Sequence, residues 1–283
     1  MSMYGVCYTG DMKIAIIGTG FLGEAVFSVV TKRNVEVVTT YNTNKKFKDS
    51  LQYDFFNDDP KDIFPKEKID IVILTAMLEF TEDERALERS VKCFLEYFLD
   101  TRVVYISSDG IFDGSQGNYT ESDIPHPITL YGRNLELYEN LVREHAKNHC
   151  IVRPSYMYGF VGGKLDTRLK QVREEVAQGN KITRFTDMYK SPLSYRQASE
   201  AITALAFSRY IGTVHIAGPR MSVYDFTRQG MEALGVSTEL LVGGPMPIPR
   251  PQGFLPDTSL NYDLMGKLTR IKPKSIAESL KKK

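Results

Sequence analysis

The stretch Lys13-Ile-Ala-Ile-Ile-Gly-Thr-Gly-Phe-Leu-Gly23 joins a short apolar run to three glycines in the pattern G-x-G-x-x-G. The apolar run is typical of a buried strand, and the residues after the turn, from Leu22 to Val30, place apolar side chains at helical spacing. A strand, a glycine turn and a helix in this order form the context in which the pattern is specific for a dinucleotide. The start of the chain is therefore predicted to hold a dinucleotide pyrophosphate.

The glycines of this turn have separate expected roles. Gly18 makes the tight turn, Gly20 lets the pyrophosphate approach the backbone, and Gly23 lets the helix pack against the strand. The helix N-terminus offers unpaired backbone N–H groups to the anion. A tight turn without a ligand is the alternative, which the flanking strand and helix disfavour. The predicted cofactor-binding residues of the turn are Gly18, Thr19, Gly20, Phe21, Leu22 and Gly23.

Strand-like and helix-like segments alternate from residue 13 onward. Strands are predicted at residues 13–17, 35–41, 70–75, 102–106 and 150–153, and a helix at 128–147. The alternation predicts an α/β fold with a doubly wound parallel sheet, the Rossmann arrangement that binds NAD(P) at the carboxyl ends of its strands. We predict a dinucleotide-binding domain over residues 12–155, to which residues 190–220 return. Residues 156–189 and 221–283 are predicted to form a small C-terminal α/β lobe that binds substrate.

Charge and composition argue against several classes of protein. The 283 residues contain 36 Lys+Arg and 35 Asp+Glu, and the net charge of +1 gives no electrostatic case for nucleic acid or a membrane surface. No stretch reaches the roughly 18 apolar residues of a spanning helix, and residues 1–11 lack a signal-peptide pattern. Three separated cysteines fit a reducing cytoplasm. His145 and His149 could share a helix face, but without a third ligand we predict no metal site.

The end of the second predicted strand bears on the choice between NADP and NAD. NAD sites usually place Asp or Glu there to bind the ribose hydroxyls. This chain has Tyr41 and Asn42 instead, with Lys45 and Lys46 just beyond. Two cations and no acid favour the 2′-phosphate of NADP(H), although the lysines could equally belong to a solvated loop. NAD(H) is the alternative cofactor.

Three further residues are assigned to the cofactor. Asp54, which closes the predicted third strand, could accept a hydrogen bond from the adenine amino group. Thr75 and Ala76 lie at the end of the strand predicted over residues 70–75. Because ligands of doubly wound sheets bind at the carboxyl ends of the strands, these residues are expected at the same edge as the glycine turn.

A run of motifs in the middle of the chain carries a family resemblance. Ser107-Ser-Asp-Gly-Ile-Phe-Asp-Gly114 is followed by Tyr119-Thr-Glu-Ser-Asp123 and Pro127-Ile-Thr-Leu-Tyr-Gly132. The succession resembles the extended short-chain dehydrogenase/reductase family. Within it, the dTDP-4-dehydrorhamnose reductase branch has S-T-D-x-V-F-D-G, Y-x-E-x-D and P-x-x-x-Y-G in the same order. The likeness spans almost the whole chain from Met12.

The resemblance implies a chemistry and two catalytic residues. In that branch, a nicotinamide hydride reduces the C4 carbonyl of a nucleotide-linked 4-keto-6-deoxy sugar. Carried over to this sequence, Tyr131 is the proton donor and Ser108 hydrogen-bonds the same oxygen. The residues themselves agree, because Ser108 ends a predicted strand and Tyr131 lies near the start of the next helix, where an acid and an oxyanion stabiliser could converge. A homodimer is expected by analogy.

The sequence departs from the family at one important position. The family's tyrosine belongs to Y-x-x-x-K, and here Leu135 replaces the lysine that holds the nicotinamide ribose and lowers the tyrosine pKa. Arg133 points away from Tyr131 on a helix, whereas Asn134 faces the right way and could bind ribose. Lys164 could supply a cation from elsewhere. Without the family's lysine the tyrosine pKa should stay at ~10. The activation free energy of reduction would then rise by about 2 kcal/mol, and that of oxidation would rise by more.

Two alternative functions remain open at the level of sequence. A catalytically weak dinucleotide-binding regulator has a precedent in the same branch, the regulatory β subunit of methionine adenosyltransferase, and Leu135 favours it. A sugar-nucleotide epimerase or dehydratase is disfavoured, because those reactions begin with oxidation and depend more on an ionised tyrosine.

Overall fold

The structure, a computed structural model, describes residues 12–64, 68–251 and 253–281, so residues 1–11 and the prediction made for them lie outside it. Within these ranges no helix has the length and apolar character needed to cross a membrane. The strands are β1 (Lys13–Ile17), β2 (Glu36–Tyr41), β3 (Leu51–Gln52), β4 (Ile71–Leu74), β5 (Arg102–Ile106), β6 (His149–Pro154), β7 (Met157–Tyr158), β8 (Phe160–Val161), β9 (Lys164–Leu165), β10 (Ile182–Phe185), β11 (Tyr189–Lys190), β12 (Leu193–Ser194), β13 (Gly212–Ile216), β14 (Met221–Ser222) and β15 (Leu241–Gly244). The helices are α1 (Phe21–Val30), α2 (Pro60–Ile63), α3 (Glu84–Tyr97), α4 (Leu130–His145), α5 (Thr167–Ala177), α6 (Tyr195–Ala206), α7 (Val223–Ala233), α8 (Asp263–Thr269) and α9 (Ile276–Leu280).

A parallel sheet forms the centre of the molecule. In the part of the chain that the structure describes, it has seven strands in the order β13-β6-β5-β4-β1-β2-β3. Every neighbouring pair runs parallel. The chain builds outward from β1 to β3 and then crosses back to β4, so the strand order reverses between β1 and β4. The prediction of a doubly wound α/β sheet is confirmed, and the crevice for a ligand lies at this reversal.

Alternate residues of β1 explain why helices cover both faces of the sheet. Ile14 and Ile16 pack on one face together with side chains of α1, α6 and α8. Ala15 and Ile17 face the opposite side, where α2, α3 and α4 pack. Ile14 and Ile16 are fully buried, and each such side chain contributes about 1.5–3 kcal/mol of burial free energy. A strand buried on both faces reads as a continuous apolar run, which is why this one is visible in the sequence.

The C-terminal part of the chain has a separate apolar core. Side chains from α5, α7 and α9 meet there, among them Leu169, Phe226 and Leu280. Strand β13 instead pairs with β6 at the edge of the main sheet. The boundaries proposed for the two lobes stay predictions, because packing alone does not define independent domains.

Two local expectations are corrected by the structure. The third strand is only Leu51–Gln52, so Asp54 follows it rather than closing it. Helix α4 ends at His145, whereas His149 begins β6, and its Nδ1 lies 2.6 Å from the carbonyl oxygen of Ala146. The two histidines therefore do not share a helix face.

Arg102 joins the sheet to the helix that covers it. The side chain is 4% exposed and donates at 2.9 Å to each of the carbonyl oxygens of Leu205, Ala206 and Tyr210. These carbonyls lie at and beyond the C-terminus of α6, where the regular i to i+4 hydrogen bonds of the helix end. The arginine thus satisfies the end of α6 and fixes that helix against β5.

We expect Arg102→Met to lower the free energy of unfolding by about 3 kcal/mol, because several buried carbonyls lose a charged donor. Urea denaturation measures the change. Arg85→Met, on the exposed face of α3, is the control and should stay within about 0.5 kcal/mol of the wild type. Equal effects of the two substitutions would show that Arg102 does not hold α6.

Candidate cofactor and catalytic site

Three glycines shape the turn between β1 and α1, each in a different way. Gly18 has φ +86°, and a Cβ there would lie 2.8 Å from Ala76 Cα. A Cβ on Gly23 would lie 2.2 Å from the carbonyl oxygen of Gly18. Gly20 is exposed, and a Cβ on it would meet nothing within 4 Å. The fold itself thus requires glycine at positions 18 and 23, whereas position 20 opens to solvent.

The backbone of this turn is held from the protein side. Thr19 donates both its N–H and its hydroxyl to the carbonyl oxygen of Thr40, each at 3.0 Å. Thr75 donates its hydroxyl to the carbonyl oxygens of Ile17 and Gly18 at 3.0 and 2.6 Å. Gly20 is the N-cap of α1, and no side chain caps that end. The first backbone N–H groups of α1 therefore face the open side, where an anion would be stabilised.

The remaining turn residues predicted for the cofactor point their side chains into the protein. The ring of Phe21 packs against Tyr195 of α6, with the ring centroids 4.9 Å apart. Leu22 packs against the core under α1. The parts of these residues that line the turn are thus their backbone groups.

The two lysines beyond β2 occupy different places. The Lys45 ammonium lies 5.7 Å from the centroid of the Tyr41 ring. Lys46 reaches back to the glycine turn, where its ammonium lies 3.2 Å from the carbonyl oxygen of Gly20 and 2.6 Å from a Glu24 carboxylate oxygen. Lys46 and Glu24 thus form an ion pair beside the first turn of α1, so the carboxylate offsets the charge of the ammonium there.

Asp54 is engaged within its own turn. One carboxylate oxygen accepts from the backbone N–H of Phe56 at 3.0 Å, and the other accepts from the side chain of Asn57 at 2.9 Å. Asn42, also predicted at the cofactor, uses its backbone carbonyl to accept from the Gln52 side chain at 3.4 Å. The contact of Asp54 with adenine stays a prediction.

Ser108 and Tyr131 meet beyond the carboxyl end of β5. Thr129 accepts a hydrogen bond from the backbone N–H of Gly132 at 3.0 Å, which begins α4 with Tyr131 in its first turn. A Cβ on Gly110 would lie 2.9 Å from Tyr131 Cε1, so the ring packs directly over that glycine. The same Cβ would lie 3.6 Å from Ser108 Oγ, so both side chains lie beside Gly110. The structure thus brings the two predicted catalytic side chains together.

The surroundings of Tyr131 keep its hydroxyl protonated. Burial and the nearby negative charge of Glu79 raise the pKa of Tyr131 well above its usual value, and the interaction with Ser108 only partly opposes them. Glu79 is 2% exposed, and burial raises the pKa of its own carboxyl. The carboxyl also accepts a 2.6 Å hydrogen bond from the hydroxyl of Tyr105. Sequence reasoning missed Glu79, whose signal is a lone acid soon after a buried strand.

Asn134 has a different role from the one expected. Its amide nitrogen donates to the carbonyl oxygens of Glu79 and Thr81, both at 2.8 Å. Both N–H bonds are therefore used to hold the loop after β4 and are not free for a ribose. The same loop places the ring of Phe80 on that of Tyr131, with centroids 4.5 Å apart and the planes tilted by 16°.

Leu135 belongs to an apolar cluster. It is 1% exposed and packs with Ile111, Phe112 and Leu260. A lysine at this position would bury its charge among apolar side chains unless the cluster rearranged. Lys164, considered above as a substitute, lies exposed on β9.

A sequence profile described as the RmlD substrate binding domain matches residues 12–253. The chain belongs to this family. The match covers both the main sheet and most of the C-terminal segment, so it includes the site at Ser108 and Tyr131. The resemblance drawn from the motifs between residues 107 and 132 is confirmed.

Curated relatives match over part of the chain. The spore coat polysaccharide biosynthesis protein SpsK of Bacillus subtilis is 32% identical over 146 residues, which cover 50% of this chain and 50% of SpsK. Methionine adenosyltransferase 2 subunit beta of Rattus norvegicus is 29% identical over 130 residues, 44% of this chain and 39% of that protein. The chain thus spans about half the length of SpsK and less of the second relative.

Solved structures match over nearly the whole chain. A hypothetical dTDP-4-dehydrorhamnose reductase from Sulfolobus tokodaii has a TM-score of 0.78 at 25% identity and covers 95% of this chain and 99% of its own. The dTDP-4-dehydrorhamnose reductase of Bacillus anthracis, solved in complex with NADP, has a TM-score of 0.76 at 18% identity over 95% of this chain and 97% of its own. At that identity the second likeness shows the fold.

The contrast between Gly20 and Gly23 gives a matched test of the turn. We expect Gly20→Ala to change the free energy of unfolding by less than about 1 kcal/mol but to weaken NADPH binding at least about tenfold, because the methyl group occupies the open face. Gly23→Ala should lower the free energy of unfolding by about 1–3 kcal/mol, since its Cβ collides with backbone. Urea denaturation and a fluorescence titration with NADPH measure the two effects. Wild-type affinity in Gly20→Ala would rule out this face as the pyrophosphate site.

Proposed function

We propose that this protein uses NADPH to reduce the ketone of a nucleotide-linked 4-keto-6-deoxy sugar, as a dTDP-4-dehydrorhamnose reductase does. The observation that carries the proposal is that the side chains of Tyr131 and Ser108 lie together beside Gly110, beyond the carboxyl end of β5. Membership of the family supports the same reaction class. NADH is the alternative reductant, and the homodimer and cytoplasmic location stay predictions.

The glycine turn fits the cofactor. The open face of Gly20 leaves room for a pyrophosphate, and the uncapped start of α1 offers N–H groups to it. Lys45 beside Tyr41 would meet a 2′-phosphate, and Lys46 lies at the turn itself. Thr75 donates to the carbonyl oxygen of Gly18, and Ala76 lies directly beside Gly18. Both residues would line the crevice through their backbone. We assign these residues to NADP(H).

The residues of the chain would then divide the work of ketone reduction. The reduced nicotinamide supplies the hydride when it is bound. Tyr131 gives its hydroxyl proton to the carbonyl oxygen, which becomes the alcohol of the product. Ser108 donates a hydrogen bond to the same oxygen and stabilises the negative charge that develops there. The tyrosine regains its proton from solvent before the next turnover.

The raised pKa of Tyr131 keeps the residue in the protonated form that ketone reduction needs. A ketone reductase needs the tyrosine as an acid, and burial together with Glu79 keeps it in that form. An epimerase or dehydratase first oxidises its substrate and needs the phenolate as a base, which the same surroundings disfavour. The electrostatics of the site therefore support the reductase over these relatives.

A regulatory role is the second candidate. Leu135 stands in an apolar cluster where the family has a lysine, and the chain is similar over part of its length to methionine adenosyltransferase 2 subunit beta. A protein of this kind would bind the dinucleotide without turning it over. Binding and turnover must therefore be measured separately.

The decisive assay mixes the protein with NADPH and a dTDP-4-keto-6-deoxyhexulose and follows the loss of reduced nicotinamide. We expect turnover, and we expect Tyr131→Phe to lower kcat by about 10²–10⁴-fold, because the general acid is lost. Tyr138→Phe is the matched control on the same helix, since the Tyr138 hydroxyl is buried without a hydrogen-bond partner. NADPH binding without turnover by the wild type would reject the reductase and favour the regulator.

The pH profile tests the state of Tyr131. Reduction needs the protonated phenol, so the rate falls only as pH rises through the tyrosine pKa. Because burial and Glu79 raise that pKa above its usual value, kcat should show no alkaline fall from Tyr131 below pH ~10. Steady-state rates at saturating substrate and NADPH, from neutral pH upward, provide the measurement. The hydride-transfer rate of Tyr131→Phe is measured over the same pH range. A fall in the wild-type rate near pH ~7 that this variant lacks would show that the pKa of Tyr131 is not raised.

A further inference from the structure

A buried ion pair lies directly behind the Ser108 hydroxyl. Lys190 and Asp109 are 7% and 6% exposed, and the ammonium lies 3.0 Å from Asp109 Oδ2. Neither residue has a role in the reaction described above. Burying two charges this deeply costs solvation free energy unless well-placed partners surround them.

The two carboxylate oxygens of Asp109 face different groups. Oδ2 accepts from Lys190 and from the hydroxyls of Ser155 and Thr258, at 3.1 and 2.7 Å for the hydroxyls. Oδ1 accepts from the hydroxyl of Ser108 at 3.2 Å. The ammonium of Lys190 also donates to the hydroxyl of Thr258. Three donors thus fix one oxygen, and the other is directed at Ser108.

The donors that fix Asp109 come from distant parts of the chain. Ser155 follows β6, Lys190 ends β11, and Thr258 belongs to the segment before α8. Ser191 links these parts, because its N–H donates to Ser155 Oγ at 3.1 Å and its hydroxyl accepts from the N–H of Leu260 at 3.1 Å. The arrangement around Asp109 therefore depends on how the C-terminal segments pack against the sheet.

We propose that Lys190 is a positioning residue, which acts through Asp109 to hold the hydroxyl of Ser108 ready for the substrate carbonyl. The inference rests on the proposed reductase function and adds a residue to it. The ammonium contacts Asp109 Oδ2 and the Ser108 hydroxyl contacts Oδ1, so Lys190 reaches Ser108 through the carboxylate. It is supplied by β11 and not by α4, where the family's lysine would stand.

The charge of Lys190 has a physical effect on Ser108. The Ser108 hydroxyl donates to Asp109 Oδ1, and its proton must turn to the substrate oxygen during reduction. The ammonium at Oδ2 offsets the carboxylate charge and makes Oδ1 a weaker acceptor, so the proton can leave it. Without the ammonium, the buried carboxylate would keep an uncompensated charge and hold that proton more tightly. A proton held in this way weakens the hydrogen bond from Ser108 to the developing oxyanion.

The alternative is that the pair only stabilises the fold. Loss of one partner of a buried pair is strongly destabilising, so a fall in activity alone would not separate the two roles. Single-turnover kinetics with enzyme in excess over NADPH does separate them. The amplitude of nicotinamide oxidation falls only if folded, competent protein becomes scarcer than NADPH, whereas the rate constant reports the hydride-transfer step of the competent protein.

The experiment compares Lys190→Met with Lys190→Arg, which keeps the charge. We expect Lys190→Met to lower the hydride-transfer rate constant by about 10- to 100-fold at saturating sugar, and Lys190→Arg to stay within about threefold of the wild type. Lys190→Gln, which keeps a hydrogen-bond donor without the charge, serves if the Met variant fails to fold, and it should be slow as well. Lys92→Met removes the ammonium of the surface pair with Glu88 on α3 and is the control.

Each outcome decides the question. A slow rate constant in the uncharged variants together with a nearly normal one in Lys190→Arg supports the proposal. An unchanged rate constant in Lys190→Met, even at reduced amplitude, would overturn it and leave a structural pair. Equal slowing by Arg and Met would also overturn it, because the charge would then not be the cause. If the wild type transfers no hydride to the sugar, the proposed function itself fails.

Discussion

The close contact between Gly23 and the carbonyl oxygen of Gly18 is the constraint on which the site depends. A Cβ on Gly23 would lie 2.2 Å from that oxygen, so α1 can begin where it does only because position 23 has no side chain. This contact aims the N-terminus of α1 along the carboxyl edge of the sheet, at the reversal of strand order between β1 and β4. Thr40 and Thr75 then fix the turn from behind.

The same edge of the sheet collects the groups that would act on a substrate. Parallel strands all end on one side, so Ser108 after β5 and the loop after β4 reach it together. Helix α4 returns over that edge and contributes Tyr131 and Asn134 from a single turn. One of them faces Ser108, and the other holds the loop that carries Glu79 and Phe80. The parallel direction of the strands thus brings these segments to one edge of the sheet, whichever side chains they carry.

The charges near Tyr131 determine the protonation state of its hydroxyl. Leu135 on α4 lies in an apolar cluster, and Glu79 lies close enough to raise the tyrosine pKa. A phenol in such surroundings stays protonated, which is the form that ketone reduction needs, and is a poor base. The buried ammonium of Lys190 lies instead behind Asp109. We infer that it acts on the serine and not on the tyrosine.

The sequence by itself determined the parts of this protein whose signals are local. The apolar run of β1, the spacing of the glycines, and the motifs that contain Ser108 and Tyr131 all depend on neighbours within a few residues, and both the fold and the family followed from them. The tertiary structure decided which distant side chains meet. Lys190 and Asp109, which form an ion pair, are 81 residues apart in the sequence. Asn134 donates to the carbonyl oxygen of Glu79, and Lys46 donates to that of Gly20. Such contacts leave no periodic trace in a single chain, because they arise only when packed strands and helices bring remote segments within hydrogen-bond distance.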